Sequence, residues 1–252
     1  MKYTLLAIIL LAIASLAFGQ AQIGSKFSLD LETGAAFSGY NDLRIPNAPE
    51  DNSTMFSFTD DLSSKTVMYG RANLHYKITP RHQVSLLAAP LTIRPTGTLD
   101  YNVEFMGETF TAGKKIDAVY RFNSFRLQYL YRFKNQNIGI RAIGLSGKVR
   151  DAVISLENED GYAEKTDLGF VPLIGFEFGY DFTNELSVIL KGEALASPFG
   201  RAEDVLLAFN YDFNDRYGLY LGYRFLEGGS DIDEVYTFAN VNYAAIGTRI
   251  RF

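Results

Sequence analysis

The sequence predicts an all-β fold, a transmembrane up-and-down antiparallel β-barrel, from two patterns and the way the chain ends. Long segments alternate between apolar and polar residues with the period of two expected of a strand. Four short polar turns each follow an aromatic residue and a second apolar residue two places on, at 76–80, 131–135, 180–184 and 211–215. The chain then ends on an alternating strand with a terminal aromatic, Phe252. Aromatic residues beside short turns are typical of one face of a membrane barrel.

A cleavable signal peptide is predicted over residues 1–19, which leaves 20–252 for the barrel. Lys2 gives a positively charged start, an apolar run covers 5–17, and Ala-Phe-Gly at 17–19 has the small-x-small form of a cleavage site. The apolar run is shorter than the about 20 residues that a spanning helix needs. The length that remains suits one domain.

The composition excludes several classes of protein. The chain has no cysteine, so neither a disulfide nor a lipid-modified cysteine after the signal peptide is available. The formal net charge is −5, or −6 once Lys2 is removed, and this argues against nucleic acid as a partner. Tryptophan is absent while the chain has 20 Phe and 16 Tyr, so these two residue types must form any aromatic belt.

Ten strands are predicted, with eight as the alternative count. Most are long enough for the roughly 9–11 residues that a tilted membrane strand requires. The alternation is clearest in the eighth strand, where Val205, Leu207 and Phe209 share one face while Ala208 and Asn210 share the other. The predicted strands are 26–39, 65–78, 83–95, 117–134, 137–150, 166–182, 185–198, 203–214, 216–227 and 235–252.

The connections between these strands alternate in length. Four tight turns lie near Pro80, Asn135, Asn184 and Asn214. Short turns on the periplasmic side and long loops on the external side are typical of outer-membrane barrels. The segment 96–116 could itself be a hairpin that turns at Gly107 and extends the third and fourth strands. The five predicted external loops are 40–64, 96–116, 151–165, 198–204 and 228–234.

The apolar face of each strand is predicted to face lipid, because a charged side chain at mid-depth in the hydrocarbon costs a few kcal/mol. A soluble periplasmic barrel of the lipocalin type would invert this arrangement and is the alternative; the signal peptide and the aromatic turns favour the membrane. The residues predicted to face inward are Arg71, Asn73, His75, Lys77, Arg126, Gln128, Arg132, Glu177, Asp181, Lys191, Glu193, Asp212, Arg224, Arg249 and Arg251.

Mixed charges in so narrow an interior should pair, because an unpaired buried ion costs several kcal/mol. The interior of a ten-stranded barrel is only slightly wider than that of an eight-stranded one, which side chains can fill. The sequence therefore predicts a filled, salt-bridged lumen. A narrow porin-like pore for small solutes, or a transport accessory, is the alternative.

No catalytic, cofactor-binding or metal-binding residue is assigned. Barrel hydrolases and proteases of the omptin kind place His with Ser or Asp near the external rim, whereas both histidines here, His75 and His82, lie beside the turn at Thr79-Pro80. A His-dependent surface hydrolase is therefore not expected. The acidic groups at 60–61, 157–160 and 231–234 are predicted to be solvated, although 227–234 could wrap a calcium ion or bridge to lipopolysaccharide through divalent cations.

Two loops carry further expectations. Gly200 suits a tight external turn, after which Arg201 is predicted to pair with Glu203 or Asp204. In the first long loop, Met55, Phe56 and Phe58 could fold over the mouth of the barrel, pack onto it or contact a partner.

The alternating strands, the aromatic turn repeat and the terminal Arg-Ile-Arg-Phe of 249–252 together resemble the small outer-membrane β-barrel proteins of diderm bacteria. The motifs at 120–126 and 227–229 resemble an uncharacterised branch of that superfamily. The resemblance implies the bacterial outer membrane as the location. It also implies that the terminal Phe252 is read by the barrel-assembly machinery. It carries no functional residue with it.

The predicted role is therefore structural or one of surface interaction, without catalysis and without a cofactor. The partners expected are outer-membrane lipid and lipopolysaccharide, the barrel-assembly machinery during biogenesis, and a protein at the external loops. A monomer is expected of so small a barrel. A lipid- or peptide-modifying enzyme is a further alternative, which the positions of the histidines disfavour.

Overall fold

The computed structural model describes residues 26–48, 50, 52–134 and 138–252, so the predicted signal peptide lies outside the described residues. No helix in this part of the chain is long and apolar enough to cross a membrane. Its fifteen strands are β1 (Phe27–Arg44), β2 (Phe56–Ser57), β3 (Val67–Lys77), β4 (His82–Ala89), β5 (Thr92–Ile93), β6 (Thr96–Thr98), β7 (Val103–Phe105), β8 (Glu108–Phe110), β9 (Lys115–Arg132), β10 (Ile138–Glu157), β11 (Tyr162–Asp181), β12 (Leu186–Ser197), β13 (Gly200–Asp212), β14 (Tyr217–Ile232) and β15 (Val235–Arg251).

Ten of these strands form a closed antiparallel barrel with up-and-down topology, which confirms the predicted fold class and strand count. Going around the wall, the order is β1, β3, β4, β9, β10, β11, β12, β13, β14 and β15. The last strand closes the barrel on the first, in a register that runs from Ser28 opposite Arg251 to Arg44 opposite Tyr236. Closure leaves no wall strand at an open sheet edge.

The short connections at 78–81, 182–185 and 213–216 and both ends of the described chain lie at one end of the barrel, called the turn end below, and the predicted turn at Asn135 lies outside the described residues. Three of the four aromatic turn motifs form a pair of contacting rings there, and in the fourth Tyr76 contacts Phe27 of β1. The pair Tyr180–Phe182 has its centroids 4.8 Å apart, and the pair Tyr211–Phe213 has them 5.2 Å apart. Side chains two residues apart share one face of a strand, which is why the Tyr-x-Phe pattern produces these contacts. The aromatic belt predicted beside the turns is present.

Large apolar side chains cover the outside of the wall. Leu168 and Phe170 are 77% and 70% exposed, and a whole band of such exposed side chains is unusual on the surface of a soluble protein. The exposed set includes Leu86, Phe125, Leu127, Ile138, Ile140, Leu145, Leu207, Phe209, Leu221 and Tyr223. The apolar face therefore points outward, as the cost of placing charge in lipid predicts.

Three of the five predicted external loops are mostly strand. Within 151–165 only 158–161 forms a turn, within 198–204 only 198–199, and within 228–234 only 233–234. The paired register continues to the tips, for example from Asp151 opposite Leu168 to Glu157 opposite Tyr162. Beyond the apolar band both faces of a strand can be polar, so these segments lack the alternation of apolar and polar residues that predicts a strand. Their backbone hydrogen bonds nevertheless continue the strands.

The third wall strand ends earlier than predicted. It stops at Ala89 rather than near residue 95, because Pro90 has no N–H to donate to the sheet. The hairpin predicted to turn at Gly107 is present, with Met106 and Gly107 at φ of 53° and 83°. It is a separate two-stranded sheet, β7–β8, and not an extension of the wall.

The main apolar core lies inside the barrel, at the end opposite the turns. Part of it comes from the described residues of the segments 45–66 and 90–114, called the cap below, which fold into the barrel mouth. Two backbone hydrogen bonds join the segments, from Thr54 N to Glu104 O at 2.9 Å and from Met106 N to Ile45 O at 3.0 Å. The cap buries Phe56, Phe58, Phe105 and Phe110 against inward side chains of the wall that include Leu43, Tyr69, Tyr120, Leu156, Leu226, Val241 and Tyr243.

Candidate functional site

A layer of paired charges crosses the barrel between the cap and the turn end. It is formed by inward-facing side chains of six wall strands, called the charged layer below: Glu32, Arg71, Arg126, Glu193, Asp204 and Arg224. Each of these side chains is buried. The three guanidinium groups of these six match their three carboxylates in charge, and the buried Lys148, opposite Arg126 across β9 and β10, adds a further cation beside them.

Two carboxylates accept most of the hydrogen bonds in the charged layer. The carboxylate of Asp204 accepts hydrogen bonds from the guanidinium groups of Arg71 at 2.8 Å, Arg126 at 2.7 Å and Arg224 at 2.6 Å. The carboxylate of Glu32 accepts two hydrogen bonds from Arg224, at 2.8 and 2.6 Å, and one from the hydroxyl of Tyr220 at 2.9 Å. Such dense pairing compensates for the desolvation of buried ions, which is the condition under which buried charge is tolerated.

The third carboxylate completes the layer. Glu193 forms an ion pair with Arg126 and accepts a hydrogen bond of 2.6 Å from Gln128 Nε2. The predicted pairing of inward charges is therefore present. Two of the six members, Glu32 and Asp204, are absent from the predicted inward set. The sequence places Asp204 in an external turn, although it shares the parity of Asp212 along β13 and so faces the same side.

The remaining half of the lumen, between the charged layer and the turn end, is a cavity of about 1520 Å³. Every residue predicted to face inward lines it. The lining runs from the buried Asp204 to exposed turn residues such as Arg81 and Asn184, so the cavity opens at the turn end. The prediction of a filled lumen is wrong for this half, which is an open cavity, whereas the predicted salt bridges are present in its lining.

Ion pairs line the wall of this cavity. Asp30 accepts two hydrogen bonds from Arg249, at 2.8 and 2.9 Å, and Lys191 lies 3.3 Å from it. Three further pairs join wall strands. Arg141 pairs with Asp181 on the neighbouring strand at 2.6 Å, whereas Arg132 with Glu177 at 3.0 Å and Arg251 with Asp212 at 2.8 Å each reach across one intervening strand.

Positive charge exceeds negative charge around this cavity. Its lining includes twelve Lys or Arg side chains and eight Asp or Glu side chains, whereas the chain as a whole has a formal charge of −5. Lys77 is not ion-paired with any described residue, and it lines the cavity together with the guanidinium groups of Arg132, Arg249 and Arg251. The cavity is thus a positively charged region in an acidic protein.

His75 lies in this cavity, in a row of the residue types that form serine hydrolase triads. Its Nδ1 lies 2.7 Å from Ser85 Oγ, and its Nε2 lies 3.4 Å from Asp30 Oδ2. The row follows from the register, since His75 is directly opposite Ser85 across β3 and β4. Gln83 Nε2 also lies 3.1 Å from Nδ1 and 3.2 Å from Ser85 Oγ.

This row differs from a working Ser-His-Asp triad in two respects. Asp30 is already neutralised by Arg249 and Lys191, which weakens the support that a carboxylate gives to a protonated imidazole. Ser85 is 3% exposed and shares its hydroxyl with Gln83, so a substrate carbonyl has little access to it. The other histidine, His82, lies at the turn end as predicted, 2.6 Å from the hydroxyl of Tyr129.

At the opposite end, the predicted pairing of Arg201 is wrong. Arg201 donates to Glu227 on the neighbouring strand, through Nε at 2.8 Å and Nη2 at 2.7 Å, and Tyr40 also donates to that carboxylate. Arg201 lies opposite Gly229 in the β13–β14 register, which brings Glu227 within reach. Asp204, one of the predicted partners, faces the lumen instead.

The acidic external groups fix the cap and the hairpin tips to one another. Asp160 accepts the backbone N–H of Thr111 at 2.8 Å and forms an ion pair with Lys114, and these contacts hold the pKa of Asp160 below its usual range. Asn47 Nδ2 donates to Asp231 at 2.9 Å. Across the described residues, no group of three or more His, Cys, Asp or Glu is arranged to hold a metal ion.

Comparison with protein-family models finds no match, and comparison with curated proteins finds none either. Among solved structures, the outer-membrane protease OmpT from Escherichia coli matches 94% of this chain over 100% of its own, with a TM-score of 0.53 and 10% identity. The translocator domain of the autotransporter NalP from Neisseria meningitidis matches 100% of this chain over 96% of its own, with a TM-score of 0.46 and 9% identity. Neisserial surface protein A matches 92% of this chain over 100% of its own, with a TM-score of 0.33 and 13% identity.

At such low identity the match to OmpT extends to the fold alone. It agrees with the closed, ten-stranded wall. By its fold, this chain is a small β-barrel of the bacterial outer-membrane type.

Proposed function

We propose that the protein is a non-conducting barrel of the bacterial outer membrane, with a structural or surface-interaction role exerted through its external surface. The observation that carries this proposal is the presence of two barriers in series inside the barrel. The cap fills the external half with apolar side chains, and the charged layer crosses the middle.

The two barriers oppose conduction for different reasons. An ion that enters the cap would lose its water shell among side chains such as Phe58 and Phe105, which are fully buried, and apolar constrictions exclude water. An ion that reaches the charged layer would have to separate pairs such as Arg224–Asp204, at 2.6 Å, whose partners would be left uncompensated. Both would have to move before a continuous aqueous path exists.

The outward apolar band and the aromatic belt support placement in the outer membrane, in contact with lipid and lipopolysaccharide. The turn end then faces the periplasm and the cap faces outside. A barrel of this kind would reach the membrane through the barrel-assembly machinery, its proposed partner during biogenesis. The closed wall leaves no unpaired strand edge for pairing with a second barrel, which supports a monomer.

The external surface is suited to bind a protein partner because its parts are held together. The contact between Asp160 and Lys114 joins the β10–β11 tip to the cap, and that between Asn47 and Asp231 joins the cap to the β14–β15 tip. A surface ordered before binding loses less conformational entropy when a partner docks.

Single-channel recording in a planar bilayer tests the closed lumen. Protein whose heat-modifiable migration shows it to be folded should give no discrete steps at neutral pH and high salt. A variant with Phe58→Ala and Phe105→Ala, which removes two rings from the cap, should also give no steps, because the charged layer still crosses the lumen. Reproducible steps from the unaltered protein would overturn the proposal in favour of a narrow pore or transport accessory.

We also propose that the barrel has no hydrolytic activity. The histidines lie at the turn end, away from the external surface, and the row of His75, Ser85 and Asp30 is neutralised and buried. Labelling with a fluorophosphonate, which reacts with activated serines, tests this directly. Labelling that occurs in the folded protein and disappears in Ser85→Ala would instead make that row a catalytic site.

A further inference from the structure

We propose that the cavity on the turn side binds a small polyvalent oxyanion, of the phosphate or carboxylate type, through Lys77 and the guanidinium groups around it. The binding site goes beyond the proposed role of the external surface. It lies on the other side of the charged layer and needs neither the cap nor a partner there.

The first argument is the charge of the lining. Twelve cationic and eight anionic side chains leave an excess of four positive charges around one cavity. The charged layer contributes nothing to this excess, because its three guanidinium groups match three carboxylates. The excess therefore lies at the turn end of the cavity, where Lys26, Arg81 and Lys134 are exposed and Lys77 ends β3. Low-dielectric walls on all sides strengthen the field of these charges inside the cavity.

The second argument is the position of Lys77. It ends β3, is exposed to the cavity and shares the lining with the guanidinium groups of Arg132, Arg249 and Arg251. Two of those, Arg132 and Arg251, each use one carboxylate, Glu177 and Asp212 respectively. An ammonium group among cations is unfavourable unless an anion joins it. A bound oxyanion would relieve this repulsion and would accept hydrogen bonds from Lys77 and the neighbouring guanidinium groups.

The third argument is that donors are available. A guanidinium group has five N–H donors, and one carboxylate occupies at most two or three of them. The Nε of Arg141 is buried and has no hydrogen-bond partner among the described residues. Arg132 donates from Nε to Gln83 and from its two Nη atoms to Glu177. These hydrogen bonds fix the guanidinium group against the wall, so its charge stays beside the cavity.

The shape of the cavity sets the class of ligand. At about 1520 Å³ it exceeds the roughly 300–1,000 Å³ of ordinary small-molecule pockets, so a ligand of several heavy atoms enters together with water. It is closed at the charged layer and open at the turns. A solute therefore enters and leaves on the same side, and binding rather than passage is the expected event.

Isothermal titration calorimetry of the folded protein in detergent micelles, with sodium pyrophosphate at low ionic strength, tests this inference. We expect saturable binding that weakens as salt is added. Lys77→Gln should weaken it by about tenfold, since it removes one charge-assisted contact. Lys77→Arg, which keeps the charge, should bind within a few-fold of the unaltered protein.

Lys65→Gln is the matched control. Lys65 is exposed in the cap segment, on the far side of the charged layer, so this variant makes the same change in net charge without touching the cavity. Absence of saturable heat would overturn the inference, and so would equal weakening by Lys65→Gln and Lys77→Gln. Titration with citrate in place of pyrophosphate distinguishes the two ligand types. Tighter binding of pyrophosphate supports a phosphate ligand, and tighter binding of citrate supports a carboxylate ligand. A barrel that conducts yet binds pyrophosphate would contradict only the proposed function.

Discussion

Arg224 on β14 donates two hydrogen bonds to Glu32 on β1, from Nε at 2.8 Å and from Nη2 at 2.6 Å, with both side chains buried inside the barrel. The same guanidinium donates to Asp204 at 2.6 Å. Arg224 therefore connects two carboxylates from strands on either side of it in the wall. Removal of either carboxylate leaves a buried cation without full compensation.

Glu32→Gln should lower the free energy of unfolding by about 3–5 kcal/mol, because it leaves three guanidinium groups in the layer against two carboxylates. Urea unfolding in phospholipid bilayers, followed by circular dichroism, measures the change. Glu203→Gln changes a partly exposed carboxylate that lies outside the charged layer, and it should cost less than about 0.5 kcal/mol. Equal stability of the two variants would contradict the role assigned to the layer.

Gly247→Ala should destabilise the barrel by about 1–3 kcal/mol. A Cβ at Gly247 would lie 2.1 Å from Cζ of Tyr220, whose ring packs over the glycine on the neighbouring strand and whose hydroxyl donates to Glu32. The same unfolding assay measures the effect. Gly70→Ala meets no atom within 4 Å and should be neutral or slightly stabilising. Comparable losses in both variants would mean that the contact with Tyr220 is not the cause.

Phe58→Ala should loosen the cap while the wall stays folded. The side chain is fully buried, and truncation of such a ring costs about 3–5 kcal/mol. Hydrogen exchange should rise in 52–66 and in the β7–β8 hairpin, and heat-modifiable migration should not change. Met55→Ala is the control, because that side chain is 44% exposed. Loss of the folded barrel in Phe58→Ala would show that cap and wall form one cooperative unit.

The contact of Asp160 with Lys114 and Thr111 should depend on pH in one direction. Lys114 and the Thr111 amide hold the pKa of Asp160 below its usual range, so the contact is complete above the unfolded value of about 3.9. It should be lost as pH falls through the lower, folded value. The chemical shift of the Thr111 amide proton reports this transition. Asp160→Asn should remove it and Glu159→Gln should leave it, and a transition near neutral pH would contradict the assignment.

Phe252→Ala should slow assembly more than it lowers stability. Phe252 N–H donates to Phe27 O at 2.9 Å, a backbone contact that alanine keeps. Insertion rates into proteoliposomes with and without the barrel-assembly machinery measure the difference, which should appear only with the machinery. Phe213→Ala, another exposed aromatic at the turn end, should insert at the normal rate. A similar delay in both variants would point to the aromatic belt rather than to the terminal signal.

The wall can be predicted from the sequence because each lipid-facing strand must keep one apolar face. The same rule identifies the inward residues from Arg71 to Arg251. It misses Asp204, which lies close to a predicted turn, although its parity along β13 matches that of Asp212. It also misses Glu32, because the alternation is weaker in the first strand. Ion pairs such as Arg224–Glu32 join residues far apart in the chain, and only the barrel register brings them together.

The cap is harder to predict because its pattern is that of a small soluble core. The sequence indicates that Phe56 and Phe58 can fold over the mouth, but their packing partners come from the hairpin at 103–110 and from several wall strands. Polar strands beyond the apolar band resemble loops in sequence for a related reason. Strand pairing there depends on backbone hydrogen bonds, which cannot be predicted from the types of residue in the sequence.

Packing of the cap also depends on the register in which the last strand closes the barrel on the first. Its core includes Ala239, Val241 and Tyr243 of the last strand, and the ring of Tyr243 meets that of Tyr69 edge-on at 4.7 Å. A slip of one residue between β15 and β1 would turn these side chains to the other face of the sheet and present Asn240 and Asn242 to the cap. The apolar segments could then not pack. A barrel closed in the wrong register would thus lack the packed cap. Packing of the cap therefore stabilises only the correct pairing of the last strand with the first.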